Sequence, residues 1–314
     1  MIVTITPNPS LDRTYELPQL SRGEVNRALS DRVDPGGKGV NVARALTAAG
    51  HRTTAVLPLG GFSGLLLSDL LLRQGIDVAT VPVRGETRTN VSIVEGDHVL
   101  TKINSLGPEL SGQESAALLA TVRGDFVGAH VDWLACCGSL PRGLAPEWYA
   151  DLVGQVHSGG ARIALDTSGP ALLAALAARP DVVKPNREEL AEAAGRPLAT
   201  VGDAVDAARL LLTKGAQQVL ASLGADGMLL VSAEGSWFGT APVRAVRSDV
   251  GAGDASLAGF LGAGGTGPQA LAAALAHGAA AVQLPGSAMP TPADLDPAAV
   301  TVSTDLPLGR PLQG

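Results

Sequence analysis

The chain has 314 residues, 46% of them hydrophobic and 3% aromatic, with a formal net charge of −7 and a pI near 5.2. That length buries a large core, as one big α/β domain or as two domains, and the acidic balance excludes a nucleic-acid surface, which needs a basic face. Ala and Leu supply much of the apolar content, which favours helix-rich packing, and Ser68, Asp69 and Arg73 interrupt the leucine-rich segment near residue 70, so no apolar run reaches membrane-spanning length.

Short β-like runs alternate with helical ones along most of the chain. Strands are predicted at 2–6, 53–57, 131–137, 162–166, 181–184 and 219–222, several of them apolar throughout, as buried parallel strands are. Helices are predicted around 40–49, 64–74, 113–123, 145–157, 170–178, 188–194 and 201–214. This alternation implies a doubly wound parallel sheet with helices on both faces. A hairpin follows, 228–232 with 236–239 across Glu234-Gly235, and then helices at 254–264 and 268–283. Two segments break the pattern. Residues 13–33 and 87–104 read as short strands with interleaved polar residues, the second turning at Glu95-Gly96-Asp97, and together they are expected to form a small sheet over the site, a lid. Residues 301–314, with Pro307 and Pro311, read as a poorly ordered end. Cys136 and Cys137 alternate faces of an extended run, which argues against a mutual disulfide. With residues 1–7 lacking an export signal, a reducing cytoplasm is the expected compartment.

The most informative stretch is Val250-Gly251-Ala252-Gly253-Asp254, leading directly into an apolar helical run. Small residues at a helix start leave backbone N–H groups aimed outward, and with the helix dipole these bind anionic oxygens. A carboxylate there repels a resting phosphate, so Asp254 is suited to taking a proton from a hydroxyl while the N–H groups hold a transferring phosphoryl group. The plainer alternative is a glycine turn with Asp254 as a helix cap. Asp12 follows a strand and an Asn-Pro turn, which puts a carboxylate at the carboxyl end of the sheet, where open α/β sheets bind ligands. Gly36 and Gly37 allow close backbone approach or a lid hinge, and Asn41 offers a donor and an acceptor one turn later. Arg27, Lys38 and Arg88 are the cations available for an acceptor phosphate. Asn186 and Glu189 either face a hydrated Mg²⁺ or form a helix capping box.

Seven segments in order carry a resemblance: 6–12 (TPNPSLD), 35–44 (PGGKGVNVAR), 87–91 (TRTNV), 138–141 (GSLP), 184–190 (KPNREEL), 222–227 (SLGADG) and 250–254 (VGAGD). The chain resembles the PfkB carbohydrate kinases of the ribokinase-like fold, and among them the bacterial 1-phosphofructokinases. The resemblance implies an α/β fold: a doubly wound, mostly parallel sheet with helices on both faces and a small β-sheet lid, in a single kinase domain over 1–314. It implies ATP-dependent phosphorylation of fructose 1-phosphate to fructose 1,6-bisphosphate. Tagatose-6-phosphate kinase or 6-phosphofructokinase activity is the near alternative, and a sugar-phosphate-binding regulator without catalysis the distant one.

Carried over residue by residue, Asp254 becomes the general base and Gly251, Ala252 and Gly253 the anion hole. Asp12, Arg27, Gly37, Lys38, Asn41, Arg88, Asn90 and Ser139 take the sugar phosphate. Lys184, Asn186, Ser222, Gly224, Gly227 and Gly253 take ATP, Asn186 and Glu189 take Mg²⁺, and His277 to Ala281 wall the adenine. A monovalent cation and a homodimer through the lid are further expectations; a nucleic-acid or membrane partner is not expected. The chain departs from the pattern in three places. Ser105-Leu106-Gly107-Pro108 stands where Glu-Pro-Gly-Pro is usual, Ser248-Asp249-Val250 where Ser-Thr-Val is usual, and Ala255 where Ser is usual. Asp249 is expected either to point away from the phosphates or to hold a cation beside them.

Overall fold

A computed structural model describes residues 1–96, 99–126, 131–157 and 160–313. In chain order the described elements are β1 (Ile2–Ile5), β2 (Ser10–Leu17), β3 (Ser30–Gly36), α1 (Lys38–Ala48), β4 (Thr53–Leu59), α2 (Gly61–Arg73), β5 (Asp77–Pro82), β6 (Arg88–Glu95), β7 (Leu100–Ile103), α3 (Gly112–Phe126), β8 (Trp133–Cys137) and α4 (Trp148–His157). There follow β9 (Arg162–Asp166), α5 (Gly169–Leu176), β10 (Val182–Val183), α6 (Arg187–Ala194), α7 (Val201–Thr213), β11 (Gln218–Ser222), β12 (Met228–Ser232), β13 (Gly235–Thr240), α8 (Ala252–Gly262), α9 (Gly267–Ala281) and β14 (Thr301–Ser303).

The main sheet runs β14-β13-β12-β11-β10-β9-β8-β1-β4-β5, parallel from β11 to β5 and antiparallel from β11 to β14. Its central strands are apolar because both faces are covered: β1 is buried at all four positions between β4 and β8. One face packs against α3, α4, α5, α6 and α7 through Leu118, Tyr149, Leu172, Leu190 and Leu211, and the other against α1, α8 and α9 through Leu46, Phe260 and Leu271. Cys136 faces the first layer and Cys137 the second, so the adjacent thiols are free and buried on opposite sides. Where α8 crosses α9 the helices meet through glycine. A side chain at Gly278 would strike Ser256, and one at Gly259 would strike the His277 ring, which explains how so apolar a chain packs with few aromatics. Phe260 is the large anchor on that face, fully buried, and contributes roughly 1.5–3 kcal/mol by transfer from water.

A second, four-stranded sheet has the order β3-β2-β6-β7, with β2 parallel to β6 and the outer pairs antiparallel. It springs from residues 10–36 and 88–103, wider at its first segment than the sequence pattern suggested. Asp97, in the expected β6–β7 turn, lies outside the described residues.

Three further readings need correction. β5 has no counterpart among the predicted strands; as an edge strand with a mixed burial pattern it lacks both the apolar run and strict alternation. The β12–β13 turn is Ala233-Glu234, because Ser232 pairs directly with Gly235. The segment from 301 is fixed rather than loose. β14 extends the main sheet, Val201 and Gly202 donate to the carbonyls of Arg310 and Leu308 at 3.0 and 2.9 Å, and Leu312 is buried.

Candidate active site

The parallel strands end on one rim, and the loops leaving them carry the site. The loop after β13 enters α8 through Gly251, whose φ of 80° is the left-handed conformation glycine adopts without strain. Ala255 N donates to Gly251 O at 2.8 Å and is the first i to i−4 bond, so the N–H groups of Gly253 and Asp254 have no partner within the helix. The positive helix end and these unpaired donors stand where the sequence pattern puts the expected anion hole.

Asp254 is buried, and its Oδ2 accepts from Asn41 Nδ2 at 2.9 Å. Asn41 Oδ1 in turn accepts from Arg44 Nη1 at 3.3 Å, and Arg44 Nε donates to Gln74 Oε1 at 3.0 Å. Asn41, expected as a sugar ligand, holds the carboxylate through Nδ2 while its Oδ1 is held by Arg44. Burial, reinforced by the nearby Asp166 carboxylate, pushes Asp254 up to about 6, against the pull of Lys184, the Asn41 hydrogen bond and Lys38.

Asp166 is the residue the sequence reading missed. It closes β9 fully buried, with Oδ1 2.7 Å from Lys38 Nζ and Oδ2 2.9 Å from Lys184 Nζ. Burial alone would raise its pKa; Lys184 and Lys38 outweigh burial and hold it below the ordinary carboxylate range. For Lys38 burial favours the neutral amine, but Asp166 and Glu189 outweigh it and the pKa rises. The available signal was an acid ending an apolar strand on the ligand-binding rim. Lys184 also faces the anion hole: a Cβ at Gly253 would lie 3.3 Å from its Nζ.

Asn186 caps α6. Its side chain accepts from Glu189 N at 2.8 Å, and Glu189 Oε2 accepts from Asn186 N at 2.9 Å, so the capping box is formed. Glu189 Oε1 remains on the site side, 3.2 Å from Lys38 Nζ. Ser222 ends β11 beside Asn186, and a 3₁₀ turn over Gly224–Asp226 follows, with Gly227 at φ 118° against the Gly239 carbonyl. Buried Asp226 accepts from Gln313 N at 2.7 Å, so the segment beyond β14 braces this loop. His277, placed near the adenine by the resemblance, packs between α8 and α9 with Nδ1 2.8 Å from Ala273 O.

The second sheet carries most of the residues expected on the acceptor side. Asp12 Oδ1 accepts from Ser10 Oγ at 2.8 Å and Asn90 Nδ2 at 2.9 Å, and Gly36 lies so close to this carboxylate that any side chain would collide with it. Gly37, at φ 111°, starts α1 against Thr6. Arg88 donates to the carbonyls of Asn8 and Ser105 at 2.9 and 3.0 Å, while its Nε is buried without a partner among the described residues. Burial lowers its pKa, with Asp12 opposing. Ser139 is exposed beyond β8, next to Gly138 and the stem of Lys38. Arg27 is not brought in; it lies exposed in the β2–β3 connection without an ion pair among the described residues. Asp249 points outward, its side chain 81% exposed and 3.9 Å from Lys102 of β7.

The profile of the pfkB family carbohydrate kinases matches residues 6–294. The chain belongs to this family. It is 40% identical over 261 residues to a 1-phosphofructokinase of Rhodobacter capsulatus, covering 83% of this chain and 82% of that one. It is 36% identical to a 1-phosphofructokinase of Bacillus subtilis strain 168, covering 83% and 84%. The crystal structure of Escherichia coli phosphofructokinase-2 in complex with potassium superposes with a TM-score of 0.88 at 33% identity, over 93% of this chain and 96% of that one. The ribokinase-like α/β fold and a phosphotransferase activity on an alcohol group follow for this PfkB kinase.

Proposed function

We propose that this PfkB kinase transfers the γ-phosphoryl group of ATP to the C6 hydroxyl of fructose 1-phosphate, giving fructose 1,6-bisphosphate and ADP. The observation that carries the reading is Asp254: a buried carboxylate with its pKa near 6, oriented by Asn41 at the mouth of a helix N-terminus. Near neutral pH it is ionised yet basic enough to take the hydroxyl proton as the oxygen attacks phosphorus. The N–H groups of Gly253 and Asp254 then hold charge on the transferring group, and Lys184 stands beside them as a point charge.

Asp12 and Asn90 orient the sugar hydroxyls. Arg88, through the N–H groups its carbonyl partners leave, and Ser139 receive the non-transferred phosphate, and Arg27 joins only if its connection closes over the acceptor. Lys38 gives two of its three N–H donors to Asp166 and Glu189, leaving one for an anionic oxygen. Ser222, Gly224 and Gly227 form the nucleotide side.

Mg²⁺ fits the hard oxygens of Asn186 and Glu189, which would hold its water shell while it neutralises the polyphosphate. A monovalent cation is part of the same reading, taken from the potassium complex of the E. coli neighbour. Exposed Val25 and Leu29 in the β2–β3 connection and Ile103 of β7 support a homodimer through the lid, and the buried free cysteines support a cytoplasmic location.

A coupled assay with fructose 1-phosphate, fructose 6-phosphate and tagatose 6-phosphate tests the assignment. Fructose 1-phosphate is expected to give the highest kcat/KM. A higher value for either 6-phosphate would move the chain to that activity, and no turnover of any would leave a binding protein.

A further inference from the structure

The opposite rim of the main sheet holds a second concavity, of about 330 Å³, at the N-terminal ends of β1, β8 and β9 and the C-terminal end of α8. That volume is at the lower end for small-molecule sites. His51, Arg52, Trp133, Arg162 and Gly262 are in its wall. The Arg162 guanidinium lies over the Trp133 ring, its Cζ 4.2 Å from the centroid, and its Nη1 donates to Gly264 O at 3.0 Å. This pins one edge of the guanidinium and leaves the rest of the fork. Arg162 alone could be a companion to the negative end of α8.

Two other observations exceed that role. Arg52, also in the wall, has no ion pair among the described residues. Trp133 is 1% exposed, and its indole Nε1 is buried with no hydrogen-bond partner among the described residues, a cost normally avoided by pairing or by bound solvent. The Asp132 carboxylate, at the same wall, is met by the Met1 ammonium at 2.6 Å. Set against the Asp132 carboxylate, the concavity carries two guanidinium groups and the His51 ring, which lies against Gly262, while the indole N–H stays buried. An acceptor-rich anion complements such a wall, and the flat, forked guanidinium groups suit phosphate oxygens.

We infer a second anion site here, for a phosphate group, either free or as a small phosphomonoester, separated from the catalytic rim by the length of α8. An 11-residue helix spans about 16 Å, so one rigid element joins the new site to the anion hole.

Intrinsic tryptophan fluorescence of the full chain, titrated with inorganic phosphate and separately with glycerol 3-phosphate, tests the inference because Trp133 is in the wall. A saturable change is expected, with tighter half-saturation for glycerol 3-phosphate if an ester is the ligand and for inorganic phosphate if the free ion is. Arg52→Gln, at an exposed position, should weaken the response at least fivefold, and Arg52→Gln/Arg162→Gln should abolish it, with kcat and both KM values in phosphate-free buffer unchanged in Arg52→Gln. Arg88→Ala should retain it. Absence of saturation in the wild type, an unchanged midpoint in Arg52→Gln, or loss of the signal in Arg88→Ala would overturn the second site.

Discussion

The floor of the active site and the sheet that overhangs it handle charge in opposite ways. On the floor, Asp254, Asp166 and Lys184 are nearly or wholly buried; Asp166 Oδ2 lies 2.9 Å from Lys184 Nζ, and both of these charges act on the Asp254 carboxyl. On the overhanging sheet and its β2–β3 connection, Arg88 is held by backbone carbonyls, Arg27 has no ion pair among the described residues and Lys102 meets Asp249 only at 3.9 Å in solvent. Low dielectric couples the charges of the first group strongly, whereas solvent screens Arg27, Lys102 and Asp249 of the second; on the proposed function the first group serves the chemistry and the second the acceptor. Substitutions on the floor should therefore alter kcat, pH dependence and stability, and those overhead mainly KM.

The largest effect is expected at Asp254. Asp254→Asn should lower kcat by roughly 10²–10⁴-fold with the KM for ATP little changed, since only the proton acceptor is lost. In the wild type, kcat/KM should fall as pH drops through about 6, where Asp254 becomes protonated and cannot accept the proton. The raised value has a stability counterpart. The folded state binds this proton more tightly than the unfolded chain, so the contribution of Asp254 to stability declines as pH rises from about 4 to 6. A urea-midpoint series across that window should lose this slope in Asp254→Asn.

Asp166→Asn comes next, because it leaves buried Lys184 without its carboxylate and Lys38 with Glu189 alone. A stability loss of about 3–5 kcal/mol in denaturant titration is expected. The acid limb of kcat/KM should also move to lower pH, because a carboxylate that raises Asp254 has gone. An unmoved limb would separate Asp166 from the catalytic unit. Arg88→Ala should raise the KM for the sugar phosphate by about tenfold while kcat stays within about threefold, the signature of binding shared by ground and transition states. A change confined to the ATP KM would place Arg88 elsewhere. Least of all, Asp249→Thr should leave kcat and the half-saturating Mg²⁺ and K⁺ concentrations within about twofold, because an exposed pair at this distance is worth little. A several-fold shift in either titration would restore a cation role to Asp249.

The fold was legible wherever burial left a periodic mark. The strands from β1 to β11 in the parallel core read as apolar runs, apart from β5 at the edge, and the helices read at 3.6-residue spacing. The segment after β14 was illegible because backbone hydrogen bonds to Ala199, Val201 and Gly202 fix it, and those leave no side-chain pattern. In the site, the glycine-flanked acid and the Asn-Arg-Glu-Glu turn were visible as local motifs. The pairing of Asn41 with Asp254 spans 213 residues, and the joining of Lys38, Asp166 and Lys184 depends on neighbouring strand ends, so neither was written locally. Arg27 shows the converse, a residue marked by motif that the fold leaves exposed.

The brace between Asp226 and Gln313 has a consequence for how the enzyme is made. The two residues are 87 apart in sequence, so at roughly 5–20 residues per second the ribosome delivers the brace about 4–17 s after the loop it supports. During that interval the nascent chain can already fold the Asp254 helix against the sheet, while the 224–227 loop still lacks its anchor. Nucleotide binding should accordingly be acquired only once the segment beyond β14 has been made, and chains truncated near residue 300 should be compact yet bind ATP weakly.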